Sequence, residues 1–501
     1  MHPTLVFADQ TWSPAAMAAL ADRISGGLRA LGVREGDTAA VMLRNGPAYV
    51  AAAIACRRAG VYLVSINWHF KAAEAGFLLA DSGARVLLVH DDLLAQIAGG
   101  VPDGVAVQAV PHDEGRGAQD GGWAAAFAQG QAPLPPATGV AFNTVVYTSG
   151  TTGRPKGVRR LPVPAERRAA LEAANQQVGR TVYGVTAASH ALLSAPMYHS
   201  ATMAFVQTCC SVGATLVLEP GFAAERTLAL IEAHRITHAY LVPTMYQRLL
   251  ALPDAVRSRH DLSSLQQVSS TGSPCAPELK RRMIDWFGPV ITEAYGSSEA
   301  GYTTFIDSAS WLQRPGSAGR ALGQAQLRIL DADGAPVPAG QMGLIYVHQP
   351  AVPDFSYIGR DEARAAIGRD GLVTLGDMGY LDADGYLFIC DRQSDMVISG
   401  GVNIYPAEIE AELLTMPGVA DAAVFGIPDA EFGEALAAAV QPRPGAALDA
   451  ATVQDWLRER LANYKVPRTI AFHDSLPRED TGKIFKRRLR EPYWEGVARR
   501  I

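Results

Sequence analysis

The hydrophobic positions near the start of the chain have helical spacing. Met17, Leu20, Ile24 and Leu28 follow one another at intervals of three or four residues, and a glycine comes soon after. Side chains three and four positions apart share one face of a helix, and glycine is common just beyond a helix end. The pattern therefore predicts an amphipathic helix over residues 15–31.

Further along, short apolar runs alternate with helical segments. The runs 39–43, 61–66 and 84–90 predict buried strands, and the alanine-rich segment 48–58 predicts a helix that crosses between the first two. The same order returns later in the chain as strand 214–218, helix 224–234, strand 238–242 and helix 244–252. With no repeat of fixed period, this alternation predicts a large, layered α/β domain that is doubly wound.

From about residue 327 the pattern changes to short β-prone pieces separated by turns. Segments 331–334 and 382–385 both read Asp-Ala-Asp-Gly between apolar stretches, which is typical of hairpins. Beyond Arg392, a helix opening at Pro406, a strand at 422–425 and a helix at 453–461 predict a compact α+β module of ordinary domain size.

These patterns predict two domains. The large N-terminal domain covers residues 1–391 and consists of layered α/β subdomains plus a small β-rich subdomain. The C-terminal α+β domain covers residues 392–501, with a hinge near residues 392–395. A chain of 501 residues exceeds the size at which one hydrophobic core keeps growing, which agrees with this division.

Composition excludes some classes of protein. Apolar residues make up 48% and charged residues 19%, so burial can offset the entropy of ordering and disorder is not expected. The formal net charge of −6 argues against a general nucleic-acid binder. One basic cluster lies near the end, and we interpret it as a solvated helix face, with Lys483 set apart: Lys483, Lys486, Arg487, Arg488, Arg490.

Cysteine usage and hydropathy indicate a cytoplasmic protein. The five cysteines form no C-x-x-C pair and have no histidine partners at metal spacing, so reduced, mostly buried thiols are expected. The first residues lack a basic segment followed by an apolar one. No later stretch reaches about 18 uninterrupted apolar residues, so no membrane span is expected.

Residues 147–158 carry the strongest chemical signal. This segment follows an apolar strand-like run and contains three glycines, four Ser or Thr hydroxyls and a lysine. Glycines let backbone N–H groups approach phosphate oxygens, and the lysine adds a positive charge. A common turn is the alternative, but the order of residues favours a polyphosphate loop. It differs from the Walker loop because no Ser or Thr follows the lysine to bind magnesium. The predicted nucleotide-binding residues here are Thr148, Ser149, Gly150, Thr151, Thr152, Gly153 and Lys156.

Four further segments follow the loop in a fixed order. They are Tyr-Gly-Ser-Ser-Glu at 295–299, Gly-Asp at 376–377, Asp-Arg at 391–392 running into 399–410, and Pro-Arg at 477–478 with Thr-Gly-Lys-Ile at 481–484. With the loop, they resemble the adenylate-forming superfamily of acyl-CoA synthetases, luciferases and peptide-synthetase adenylation domains. The resemblance spans nearly the whole chain, and it implies two stacked subdomains, a smaller β-rich one and a mobile C-terminal domain.

The resemblance assigns the remaining nucleotide contacts. Glu299 would bind the Mg²⁺ that bridges the ATP phosphates. Its carboxylate is the hard oxygen ligand that the loop itself lacks. The alternative is that Glu299 only caps a turn, as an isolated Glu more often does. Tyr295 would stack on adenine. Asp377 and Arg392 look like the ribose clamp, the pair that binds the ribose hydroxyls, and a surface salt bridge is the alternative for either residue. The family usually has a Thr directly before the Gly-Asp pair, and Leu375 stands at that position here. The other residues implied around the base and phosphates are Gly272, Ser273, Pro274, Gly296, Ser297 and Ser298.

The resemblance also implies catalytic and acyl-binding residues. Lys483 would reach the substrate carboxylate and the α-phosphate, where its charge offsets the negative charge that develops. His199 would gate the acyl pocket, although a His in an apolar stretch is often a structural residue; no general-base role is expected, because a carboxylate needs no deprotonation. The acyl-pocket candidates are Tyr198, Ala201, Phe205, Tyr240 and Ser270.

Two small-residue positions complete the implied mechanism. Gly400 and Gly401 would line the tunnel for the CoA thiol, and they also suit a turn before the helix at Pro406. Ser394 stands at the hinge position, where the family commonly has Asp or Lys. Domain rotation needs only a few residues that absorb a backbone change, and small residues do so readily.

Three functions follow as hypotheses. The first is an ATP-dependent carboxylate–CoA ligase that forms an acyl adenylate with release of pyrophosphate and then transfers the acyl group to CoA. The second is a stand-alone amide synthetase that sends the acyl group to an amine. The third is a nucleotide-binding regulatory or scaffold protein that has lost catalysis, and the presence of Lys483 and Glu299 argues against it. The expected ligands are ATP, Mg²⁺, CoA and a small carboxylic acid that the sequence does not identify, and a homodimer is left open.

Overall fold

The fold was derived from a computed structural model. It describes residues 2–8, 10–113, 122–139, 142–148, 155–273, 275–393, 395–399, 402–429, 431–478 and 484–495. Four β-sheets organise this part of the chain, and helices cover their faces. The mixed α/β architecture with a large N-terminal and a small C-terminal part confirms the predicted fold class.

The largest sheet has nine strands in the described residues, and its six inner strands are parallel. Antiparallel strands close it at both edges. In spatial order the strands are Arg320–Ala321, Gly301–Ile306, Ile291–Ser297, Gln267–Ser270, His238–Tyr240, His190–Leu193, Thr215–Leu218, Thr4–Phe7 and Gln10–Trp12. Parallel sheets are covered on both faces, which is why their strands read as apolar runs in the sequence.

A second sheet of seven described strands carries the predicted phosphate loop. Five strands are parallel, and an antiparallel pair extends the sheet at one edge. In spatial order they are Phe355–Tyr357, Lys156–Arg160, Thr144–Thr148, Tyr62–Ser65, Thr38–Met42, Ala84–His90 and Ala106–Val110. The predicted strands of this region are thus confirmed to within two residues.

The predicted β-rich part forms an antiparallel sheet. Its strands are Gln326–Leu330, Gly343–His348, Leu372–Leu381, Gly368–Arg369 and Leu387–Arg392. The Asp-Ala-Asp-Gly segment at 382–385 joins two of these strands as a hairpin, as predicted. Its counterpart at 331–334 is also a turn, in which the Gly334 amide donates to the Asp331 carbonyl. The hydrophobic core around Ile345, Val347 and Leu387 is shared with Val158, Phe355 and Tyr357 at the edge of the second sheet.

Thirteen α-helices of the described part precede the C-terminal module. The first begins at Pro14 behind Ser13, whose hydroxyl accepts the Ala16 amide at 3.2 Å, and it buries the predicted apolar face. The helices are Pro14–Ala30, Pro47–Ala59, Ala72–Ser82, Leu94–Ile97, Gly122–Ala128, Ala165–Tyr183, Ser200–Val212, Ala224–Ala233, Pro243–Leu250, Asp254–Arg257, Pro277–Phe287, Ser308–Gln313 and Asp361–Ala366. None of the helices described combines the length and apolar character needed to cross a bilayer.

The C-terminal module has a sheet and a core of its own. Its described strands are Val402–Ile404, Val397–Ser399, Gly433–Pro442, Val419–Asp429 and Thr469–Phe472. Its helices are Pro406–Thr415, Ala450–Arg458 and Lys486–Trp494. The core around Val397, Leu413 and Leu457 is separate from those of the N-terminal sheets. The exact division near residue 392 stays a prediction.

The C-terminal helix is only partly the solvated face that its sequence suggests. Lys486 pairs with Glu410 at 2.8 Å, and Arg490 lies 3.8 Å from Asp395. Burial opposes the charge on Lys486, but Glu410 and other nearby carboxylates outweigh it and raise the pKa of the lysine. Arg487 is exposed, as predicted. The helix is therefore tied by ion pairs to its own module and to the residues that follow the predicted hinge.

Candidate active site

The predicted phosphate loop is carried by a β-hairpin. Strands Thr144–Thr148 and Lys156–Arg160 pair antiparallel, with Thr148 opposite Lys156. Residues 149–154 lie outside the described part, so only the two ends of the loop are placed. The Lys156 ammonium lies 5.3 Å from the ring centre of Tyr357, on the adjacent edge strand. The hairpin thus puts a cation beside the Tyr357 ring.

The same tyrosine contacts the predicted metal ligand. The Tyr357 hydroxyl donates to Oε1 of Glu299 at 3.1 Å. Burial and the adjacent carboxylate raise the pKa of Tyr357, so its hydroxyl stays protonated and donates. Glu299 is 7% exposed, and in the described part of the chain its Oε2 atom has no hydrogen bond or ion pair. A buried carboxylate with one oxygen free suits a hard cation.

Arg160 holds the turn that presents this carboxylate. Its guanidinium donates to the backbone carbonyls of Ser298 at 2.7 Å, Glu299 at 2.6 Å and Pro353 at 2.9 Å. Burial lowers the pKa of Arg160 to about 10, with partial compensation by Glu299 and Asp354, so the group remains charged at neutral pH. Because Arg160 and Lys156 belong to one strand, this side chain couples the phosphate-loop hairpin to the Ser298–Glu299 turn.

The predicted ribose clamp is assembled across three strands. The Tyr295 hydroxyl donates to Oδ2 of Asp377 at 2.6 Å, and Nε of Arg392 donates to Oδ1 at 3.3 Å. Asp377 and Arg392 are direct partners in the strand register. Burial opposes the charge on Arg392, but Asp377 outweighs it and the pKa of the arginine is raised. Leu375, directly before Gly376, has no hydroxyl, but Thr374 one residue earlier does. The Thr374 hydroxyl accepts a hydrogen bond from the Gly376 amide.

A cavity of about 220 Å³ has Arg160 in its lining. At one end it is lined by Gly272 and by the 296–298 turn, all predicted nucleotide contacts. Of the acyl-pocket candidates, Ala201 lines it. Tyr183 lines the cavity, and Phe205 and Tyr240 pack behind it. Their ring centres lie 5.1 and 6.5 Å from the ring centre of Tyr183.

The other acyl-pocket candidates are buried nearby. Tyr198 packs on His199 with ring centres 4.4 Å apart, and Ser270 ends a central strand of the nine-stranded sheet. His199 is the residue before helix Ser200–Val212, and its carbonyl accepts the Thr202 hydroxyl at 2.9 Å. None of Tyr198, His199 and Ser270 lines the cavity, and the gating role of His199 stays a prediction.

Several predicted residues lie outside the described part of the chain. They are Ser149, Gly150, Thr151, Thr152, Gly153, Pro274, Ser394, Gly400, Gly401 and Lys483. The chain on both sides of the Lys483 segment is placed: Arg478 and Ile484 form an antiparallel bridge, and the Phe485 amide donates to the Pro477 carbonyl at 2.8 Å. The roles of the undescribed residues stay predictions.

The sequence did not point to Arg160, Tyr357 or the wall of the cavity. Arg160 and Tyr357 act through contacts with residues about 140 and 60 positions away, and neither belongs to a recognisable string. A signal for the wall was present. Ser200, Ala204, Gln207 and Ser211 recur at helical spacing on helix Ser200–Val212, and all line the cavity.

Comparisons with known proteins give the family. The AMP-binding enzyme family model matches residues 1–353, and the AMP-binding enzyme C-terminal domain model matches residues 408–483. The chain is 37% identical to a feruloyl-CoA synthase of an Amycolatopsis species over 94% of this chain and 92% of that protein. It is 36% identical to an indoleacetate–CoA ligase of Aromatoleum aromaticum, over 97% and 94%.

A solved structure agrees with this assignment. ATP-bound MatB from Rhodopseudomonas palustris superposes with a TM-score of 0.86 at 29% identity, covering 99% of this chain and 97% of that chain. The similarity therefore extends over both the large N-terminal part and the small C-terminal module. The chain belongs to the AMP-binding enzyme family, the adenylate-forming enzymes that its five ordered motifs resemble.

Proposed function

We propose that this protein activates a carboxylic acid with ATP and transfers the acyl group to CoA. One observation carries the proposal: Lys156 of the phosphate-loop hairpin and the buried Glu299 meet at Tyr357, beside a cavity that reaches the 296–298 turn. A cation and a free carboxylate oxygen at one place suit a polyphosphate with its metal ion. The feruloyl-CoA synthase and the indoleacetate–CoA ligase, which match over 94% and 97% of this chain, both use CoA as acceptor by their names.

The first half-reaction joins the acid to AMP. A carboxylate oxygen attacks the α-phosphorus of ATP, the bond to the β-phosphate oxygen breaks, and pyrophosphate leaves. Two anions must approach each other in this step, so fixed positive charge lowers its barrier. We assign this charge to Lys156 and Lys483, and the ribose contacts to Asp377 and Arg392.

Magnesium fits the residues present. Glu299 offers a buried carboxylate oxygen without a partner in the described part of the chain, next to the hydroxyls of Ser297 and Ser298. A magnesium ion held there would neutralise charge on the phosphates and on the departing pyrophosphate. Arg160 keeps the turn in place, and Tyr357 orients the carboxylate through its other oxygen.

The second half-reaction releases AMP. The CoA thiol loses its proton as its sulfur attacks the acyl carbon, and the bond between that carbon and the AMP oxygen breaks. Splitting the synthesis into two transfers replaces one difficult step with two easier ones. We assign the approach of the thiol to Gly400 and Gly401, after the C-terminal module has rotated about residues near Ser394.

The test measures both half-reactions with the wild-type enzyme. A panel of acids, from short aliphatic to aryl and long-chain, is supplied with MgATP, and acid-dependent pyrophosphate release is followed. CoA is then compared with a set of amines as acceptor, by loss of free thiol and by product mass. We expect pyrophosphate release with at least one acid, and thiol loss equal to AMP formed. Formation of an amide without a thioester would favour the amide synthetase. Failure of every acid to cause pyrophosphate release would contradict the proposal.

Arg160→Lys should slow acyl-adenylate formation. Lysine keeps the charge but cannot reproduce the planar set of donors that spans three carbonyls. The Ser298–Glu299 turn should therefore loosen, and we expect kcat/KM for pyrophosphate release to fall about tenfold. Arg159→Lys is the matched control, because Arg159 points to the other face of the strand and stacks 3.8 Å from the Tyr62 ring centre. Equal effects of the two substitutions would show that Arg160 has no special link to the site.

A further inference from the structure

Two antiparallel helices pack against each other and line one side of the cavity. The Tyr183 hydroxyl, at the end of helix Ala165–Tyr183, donates to the Ala201 carbonyl at the start of helix Ser200–Val212, at 2.8 Å. Further along, a Cβ on Gly179 would come within 2.6 Å of the Thr208 hydroxyl. Helix residues advance by about 1.5 Å each, so the cavity side of the second helix, from Ser200 to Ser211, is about 16 Å long. The cavity is therefore elongated, with an inner and an outer end.

The inner end belongs to the reaction. Ser200 accepts a hydrogen bond from Ser298 at 3.0 Å, and Gly272 and Ser297 line the cavity at the same place. An acid bound in the cavity would thus place its reacting carboxylate at this end, next to the nucleotide residues, and its remaining atoms would extend along the two helices towards the outer end.

The middle of the cavity offers little to a polar substrate. Met203, Ala204 and Val178 contribute apolar surface. Two of the polar side chains there already donate hydrogen bonds within the protein: the Gln207 amide donates to Thr144 at 3.2 Å, and the Thr208 hydroxyl donates to the Ala204 carbonyl at 2.8 Å. The body of the acid in this region should therefore be a hydrocarbon chain or ring.

The outer end has the opposite character. Arg57, Asn175 and Gln176 line it, and within the described residues none of these side chains has a hydrogen-bond or ion-pair partner. The adjacent Arg58 is different, because it pairs with Asp22 at 2.7 Å and does not line the cavity. A guanidinium and two amides present several donors in one place, and no described carboxylate lies within ion-pair distance of Arg57.

We propose that the natural acid carries a second, anionic group at its far end, bound by Arg57 with Asn175 and Gln176. The inference rests on the proposed function, since it concerns the acid that the enzyme activates. A guanidinium binds a carboxylate or sulfonate through paired, charge-assisted hydrogen bonds. Because Arg57 is partly exposed, water can solvate it when the group is absent, so the expected preference is moderate rather than absolute.

The test compares pairs of acids that differ only in the distal charge. The probes are carboxylic acids with a terminal sulfonate, which cannot itself be activated in place of the carboxylate, and their neutral sulfonamide partners. Bodies range from a phenylpropanoate to a long alkyl chain. The readout is kcat/KM for pyrophosphate release by the full-length enzyme, for the wild type, for Arg57→Met and for the matched control Arg58→Met.

We expect the wild type to prefer the sulfonate of at least one pair by about tenfold, through a lower KM. Arg57→Met should abolish this preference, so that it uses the sulfonate and the sulfonamide of each pair equally, and its remaining activity with the sulfonamide shows that the variant is folded. Arg58→Met should keep the preference. Equal use of both partners by the wild type, or a preference that survives in Arg57→Met, would overturn the inference while leaving the proposed function intact. If the wild type activated no acid of any kind, the proposed function would fail first.

Discussion

Replacing Lys483 by Ala is expected to slow acid-dependent pyrophosphate release strongly while ATP binding is retained. Attack of a carboxylate on the α-phosphorus brings two anions together, and a positioned ammonium in a water-poor cleft is worth about 10²–10³ in rate. Binding of ATP draws instead on the hairpin, Glu299 and the ribose clamp, so its loss should be small. The measurement is single-turnover pyrophosphate release, with ATP affinity determined separately by calorimetry.

The control for this substitution is Lys465→Ala. Lys465 belongs to the same C-terminal module and pairs with Glu408 at 2.6 Å on the surface, so its loss removes one positive charge without touching the site. We expect nearly full activity, since exposed ion pairs contribute about 0–1 kcal/mol. If Lys483→Ala kept its activity, or if both variants lost it equally, the assignment of Lys483 would be wrong.

A second use of Lys483→Ala separates the half-reactions. When the acyl adenylate is supplied ready-made with CoA, the attack on ATP is bypassed, and the lysine has no developing phosphate charge to offset. We expect thioester formation from supplied acyl adenylate to remain close to the wild-type rate. A loss of both half-reactions would indicate that the segment between Arg478 and Ile484 acts on the placement of the whole module instead.

Local patterns in the sequence predicted the helices and strands well, because the buried face of each element fixes the spacing of its apolar residues. Helix Pro14–Ala30 and strand Ala84–His90 coincide with the prediction to within one residue at each end. The arrangement of the strands was not predictable in the same way. Strand Thr4–Phe7 pairs with Thr215–Leu218, more than 200 residues away, and no local spacing encodes such a pairing. The resemblance to a family supplied the architecture that the periodicity could not.

The residues of the candidate site also fall into two groups, those that local motifs predicted and those that only the structure revealed. Glu299, Asp377 and Arg392 stand in motifs, because the groups that contact a shared ligand recur in a fixed order, and the structure brings Asp377 and Arg392 into contact. Arg160 escaped notice because its partners are backbone carbonyls, which every residue has. The donor-rich outer end of the cavity escaped for a related reason: Arg57 reads as an ordinary cation near a helix end until the packing of two other helices places it on a cavity.

Glu299→Gln should reduce pyrophosphate release about as strongly as the lysine substitution. The amide keeps the size of the side chain and can still accept the Tyr357 hydroxyl, so the turn should fold as before. It removes the negative charge that suits Glu299 to a divalent cation. We expect the rate to fall by about 10²–10³ at saturating ATP, and the magnesium concentration that gives half the maximal rate to rise. Steady-state assays across a magnesium titration measure both quantities.

Tyr357→Phe is the matched control, since it removes the hydrogen bond to Glu299 but leaves the carboxylate and its charge. We expect a loss of at most about tenfold, with the magnesium dependence nearly unchanged. An unaltered magnesium dependence in Glu299→Gln would show that this carboxylate holds no metal. The double variant Glu299→Gln with Lys483→Ala tests the shared mechanism. Groups that stabilise charge on one transition state give non-additive effects, so the double loss should be smaller than the product of the single losses. If the loss of rate in the double variant equalled the product of the two single losses, the two residues would serve separate steps.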